Sequence, residues 1–176
     1  TLAAKMTDVP GHTIGLVPFL DAADIQYLHL GVNGASAVPE VPEFFIWRAP
    51  DGSEVVVNYA LSYGATGLEV ALAPNGTDAM HLAHTGDNHG PPTPGEVKKL
   101  FEQAKKELPG LKVRIGRLSD FSDAILAEKP ELPIVRGDMP DTWIHGPMSD
   151  PAGAKLARNI RPALATAEYL ATALDS

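Results

Sequence analysis

Short runs of strand-forming residues alternate along this chain with segments of helical spacing, and the polar, glycine-bearing loops come after the strand-like runs. That order restricts the fold more than any other feature. Strand–helix alternation is the pattern of βα units, whose sites lie on loops beyond the strand C-termini. Residues 25–32 read as a buried strand, and residues 44–48 and 54–59 flank the turn Pro50-Asp51-Gly52-Ser53 as the two arms of a hairpin. Thr93-Pro94-Gly95-Glu96 supplies an N-cap, a first-turn proline and a capping-box glutamate, after which Val97, Leu100, Phe101, Ala104 and Leu108 follow at helical spacing until Pro109-Gly110. Pro18 opens a short helix over 18–23, Ser119 another over 119–128, and Asp150-Pro151 caps a last one to residue 174, with a kink expected at the interior Pro162. Residues 80–85, 112–115 and 134–136 read as further strands. The expectation is one α/β domain over residues 1–176: a partial (β/α) barrel-like sheet with a β-hairpin insertion and sites on loops at strand C-termini.

Composition narrows what such a domain can do. A net charge of −8 and the absence of a basic stripe argue against a nucleic-acid partner, because backbone binding needs clustered Lys and Arg. Without cysteine there are no disulfides or thiolate ligands, so any metal must be held by His, Asp or Glu. No apolar run approaches the roughly 20 residues that span a bilayer, so no membrane partner is expected.

Three loops concentrate the chemistry: residues 7–13, 86–90 and 138–146, each coupling a carboxylate with a histidine. Carboxylates with neutral imidazoles suit zinc and similar divalent ions, and paired carboxylates suit glycosidic cleavage. Asp and Gly also shape ordinary turns, so each loop alone has a purely structural reading; neighbouring strands would let the three converge. His29, within an apolar strand, reads as a hydrogen-bonded core residue, and His81 and His84 as structural, with His84 near enough to the second loop to remain a candidate. Trp47 is expected to pack in the hairpin, whereas Trp143, in the third loop, is placed to stack on a sugar face.

The order of these motifs resembles family 38 of the glycoside hydrolases, the α-mannosidase-like enzymes. Asp8-Val9-Pro10-Gly11-His12-Thr13 followed by Leu16-Val17-Pro18 is similar to that family's Asp-x-x-Gly-His-Ser segment and its proline-started helix. Residues 86–91, the capped helix at Glu96 and Ser119-Asp120-Phe121 resemble its glycine-rich Gly-Asp region. The 141–146 loop and the final helix with Ala167-Glu168 fall where the family has a late metal-ligand loop. The resemblance covers nearly the whole chain but only the later part of the family's catalytic domain, so the chain reads as a fragment or trimmed homologue. It implies a retaining, metal-assisted glycosidase acting on a carbohydrate, with Asp8 as nucleophile and metal ligand and Asp87 as general acid/base. Zinc or another divalent metal would be held by Asp8 with Asp141 or His145, and with His12 or His89 as substitutes for ligands of an early His-x-His or His-x-Asp segment that these residues do not contain. In the late loop Asp141 falls where the family's pattern has histidine, and His145 is displaced from it. The rival readings are a non-catalytic remnant or sugar-binding module, and a metal-dependent hydrolase of another bond. An incomplete barrel exposes strand edges, so a homo-oligomer is expected.

Overall fold

The computed structural model describes residues 2–9, 11–33, 35, 38–64, 67–86, 89–140 and 149–175. It is a mixed α/β structure in which the described residues form four α-helices and a mostly parallel five-stranded sheet. Two compact units divide the chain, residues 1–142 and residues 143–176.

In the first unit the sheet is built from β1 (Leu2–Thr7), β3 (Ile25–Gly31), β4 (Phe44–Arg48), β5 (Glu54–Ala60) and β8 (Ile134–Val135), in the order β1-β3-β5-β4-β8. β1, β3 and β5 run parallel; β4 is antiparallel to β5, and β8 is parallel to β4. Two minor pairs complete the strands: β2 (Gly11–His12) with β9 (Met139–Pro140), and β6 (Ala71–Leu72) with β7 (Ala79–Met80). The helices of this unit are α1 (Val17–Ala22), α2 (Pro94–Glu107) and α3 (Leu118–Glu128).

The period-2 alternation of strand side chains gives each face of the sheet its own core. Leu28, Leu30, Phe45, Trp47, Val55 and Val57 point to one face, where Val17 and Leu20 of α1 and Met139 of β9 cover them. Tyr27 and Phe44 point to the other, against Phe121 and Ile125 of α3; the Tyr27 and Phe121 rings meet edge to face at 6.3 Å. Trp47 is fully buried, and its indole N–H donates to the Gly137 carbonyl at 2.8 Å, so the polar end of a large core residue is satisfied.

The expected hairpin forms, with Arg48 paired to Glu54 beside its turn, but β5 lies at the centre of the sheet and the hairpin is integral to it rather than inserted. The capping box at α2 forms as read: the Glu96 carboxylate accepts from the Thr93 amide at 2.7 Å and the Thr93 hydroxyl accepts from the Glu96 amide. Two readings change and one element is new. Residues 111–117 form no strand, of the strand expected over 80–85 only its first residue belongs to one, in β7, and residues 2–7, to which the sequence assigned no element, form the edge strand β1. Val113 and Ile115 remain exposed, which explains why an alternating run there gains nothing from pairing.

The second unit contributes α4 (Pro151–Leu174), capped by Asp150, whose carboxylate accepts from the Gly153 amide at 2.9 Å. No helix among the described residues is long and apolar enough to cross a membrane.

One close approach fixes the edge at which β1, β3 and β5 end. A Cβ added at Gly31 would stand 2.6 Å from the Ser62 carbonyl oxygen, 2.8 Å from Thr7 Cγ2 and 3.2 Å from Tyr63 Cα. Two of those neighbours are backbone and cannot rotate away. Gly31→Ala is therefore expected to cost about 1–3 kcal/mol of stability, the usual effect of overpacking; chemical denaturation of the two proteins measures it, and an unchanged midpoint would show that the 62–63 segment yields freely.

Candidate functional site

The C-terminal edge of β1, β3 and β5 is where an open parallel sheet presents groups to a ligand. Asp8 stands there, one residue beyond β1, with φ +53°, a left-handed conformation that is uncommon for a residue with a side chain. Its amide donates to the Gly31 carbonyl at 3.2 Å, and its Oδ1 accepts from Asn33 Nδ2 at 3.3 Å, so the carboxylate is held across the crevice between β1 and β3.

The first loop meets the described start of the third, residues 138–140, through a route the sequence did not indicate. β8 runs opposite to β1, β3 and β5, so the chain leaves it at the other edge of the sheet. It returns through β9, where Met139 pairs with His12 and Pro140 with Gly11. Asp138 Oδ1 then accepts from the Ile14 amide at 2.7 Å, which employs that carboxylate in fixing the turn before α1. His12 is buried at 6% exposure in this junction.

Of the residues singled out in the sequence, Asp8, His12 and His89 are described; Asp87, Asp141, Trp143 and His145 lie outside the described residues. His89 is exposed and lies beside Gly86. Among the described residues no group of three His, Asp or Glu side chains is placed to hold a metal ion. Asp8, His12 and His89 thus do not form a metal centre by themselves.

A second feature lies on the α3 side of the sheet. His29 of β3 and Asn58 of β5 are register partners, and His29 Nδ1 is 2.7 Å from Asn58 Oδ1. The Asn58 amide nitrogen donates to the Glu43 carbonyl at 3.4 Å, which orients the amide and makes His29 Nδ1 the protonated nitrogen. Nε2 then carries a lone pair, and it is buried without a hydrogen-bond partner. Burial pushes the His29 pKa down to about 4, opposed in part by the Asn58 hydrogen bond and reinforced by the positive charge of Lys5, its register partner in β1. The sequence reading of His29 as a hydrogen-bonded core residue holds. It gave no sign that His29 also lines a cavity of about 680 Å³ beyond the ends of β3 and β5. Gly64, at φ +115° and packed against Leu82, shapes one wall of it; His81 accepts or donates at the Glu69 backbone nearby, and His84 accepts from the Gly86 amide.

No protein-family model matches the chain, and no curated protein is detectably similar to it.

Because the folded state disfavours protonated His29, its contribution to stability is fully present above the ordinary histidine value of 6.5 and is lost as the pH falls from there through about 4. The loss amounts to roughly 3 kcal/mol when the shift is converted at 1.36 kcal/mol per unit. Denaturation midpoints of the parent and of His29→Gln, measured between pH 7 and 4, should diverge in slope, the variant lacking this component; parallel curves would contradict a buried neutral imidazole.

Proposed function

We propose that this chain forms part of a carbohydrate-hydrolysing domain of the α-mannosidase type, a retaining glycosidase in which Asp8 is the nucleophile. The observation that supports it most is the setting of Asp8: a carboxylate in a left-handed backbone conformation, fixed by Asn33 at the C-terminal end of a strand in a parallel trio. The three neighbouring parallel strands also support reading β1, β3 and β5 as one part of a (β/α) barrel-like sheet.

In this mechanism an Asp8 oxygen forms a bond to the anomeric carbon as the bond to the departing oxygen breaks. Asp87 donates a proton to that oxygen and afterwards takes one from the water that releases the sugar. Trp143 enters this reading only through its place in the sequence, which would give it the role of stacking on the sugar ring. Asn33 positions Asp8 through its amide, which donates to one carboxylate oxygen. The described residues do not by themselves make a metal centre. Zinc or another divalent ion would need Asp141 or His145 as a ligand beside Asp8.

Aryl mannosides, galactosides and glucosides, assayed with and without zinc, provide the test. Asp8→Asn should lower turnover by about 10⁴-fold or more while the thermal midpoint stays near that of the parent, since a nucleophile's loss is not made good by its neighbours. Asp87→Asn should spare the first step for aryl substrates with good leaving groups, because these need little protonation. Turnover that survives Asp8→Asn would overturn the assignment, and saturable sugar binding without turnover in the parent would replace catalysis by a binding role.

A further inference from the structure

The cavity beyond β3 and β5 has a chemistry that the glycosidase reading does not use. Three glutamates, Glu40, Glu43 and Glu69, contribute to its lining, and no Lys or Arg does among the described residues. Val41, Met80 and Leu82 supply apolar wall between them. An acidic rim alone is ordinary solvated surface. Here it lies over a second and independent feature, the imidazole of His29, which lines the same cavity at 2% exposure with an unpartnered Nε2.

A buried acceptor without a donor has given up its hydration for nothing, so a site that keeps one gains when a ligand brings the donor. With Nδ1 held by Asn58, the imidazole offers a bound molecule a lone pair and no proton. The carboxylates favour positive charge, and the apolar wall favours a hydrocarbon body; at about 680 Å³ the space falls in the range of small-molecule sites. Nε2 presents almost no surface of its own, so a donor reaches it after a small rotamer adjustment of the wall, of the kind that commonly accompanies binding.

We infer that this cavity binds an organic ammonium ion, a protonated amine on a compact apolar body, whose N–H group donates to His29 Nε2 while Glu43 and Glu69 face its charge. Lys5 lies outside the lining and is outnumbered by the carboxylates there. A metal ion fits less well, because no three ligating side chains among the described residues are placed to share one. The inference concerns a site apart from Asp8 and is read by binding alone, so its outcome is independent of any glycoside turnover.

Cyclohexylamine, cyclohexanol and cyclohexanecarboxylate have nearly the same body and differ in the charge of the head group. Titrated into the protein at pH 7 by calorimetry, the amine should bind saturably, the alcohol at least tenfold more weakly, and the carboxylate not measurably. The Glu43→Gln/Glu69→Gln double variant changes two exposed side chains and leaves the Glu43 carbonyl that Asn58 uses, so it should fold as the parent does while losing tenfold or more of the amine affinity. Imidazole NMR signals of His29 should move with the amine and reach a plateau at the calorimetric saturation point. Equal affinity for amine and alcohol, undiminished amine binding in the double variant, or no saturable amine binding at all would each overturn the proposal.

Discussion

The absence of a side chain at Gly31 governs how the working edge of this sheet is put together. The chain leaving β5 passes directly over the end of β3, with Ser62 and Tyr63 backbone atoms inside the space a Cβ would take, and Thr7 closes the approach from β1. Three parallel strands are thereby drawn to a common edge. The Asp8 amide bonds the Gly31 carbonyl, and Ser62 of the crossing segment lines the cavity together with His29. A larger residue at position 31 would displace that segment.

The two faces of the sheet meet burial in different ways. The face under α1 is apolar from Leu28 to Val57, and the polar end of the Trp47 indole is matched by the Gly137 carbonyl. The face under α3 begins with an aromatic cluster of Tyr27, Phe44 and Phe121 and changes, two residues along β3, to the His29–Asn58 pair. Stability dominates the first face. On the second, a neutral imidazole is kept in place at the expense of its protonated form, a trade seen where polar groups are retained for a ligand.

Much of the fold was legible because its signals are local. The Thr93 to Glu96 capping box, the turn at Pro50 to Ser53 and the apolar run of residues 25–32 each fix an element through neighbours in sequence. β1 was missed because its residues, Leu2–Thr7, are apolar only in part, and pairing with β3 rather than burial makes them a strand. The run at 112–115 has the opposite fault: strand-like composition without a partner. Among the candidate site residues, Asp8 stood out through its loop, and its partner Asn33 was linked to it by no local pattern. The junction of β2 with β9 joins residues more than 120 positions apart, and the lone pair on His29 depends on an amide in a different strand. Such contacts follow from topology, and a single sequence carries no direct mark of them.

The claim on which the functional account rests is that Asp8 attacks the sugar. An activated fluoroglycoside that slows release of the glycosyl-enzyme tests it most directly, because the covalent product can be located by peptide mass spectrometry. The account predicts one stoichiometric adduct, carried by the peptide containing Asp8 and mapped to that residue by fragmentation. An adduct on another carboxylate, or efficient turnover of the reagent with no adduct and no dependence on Asp8, would contradict it.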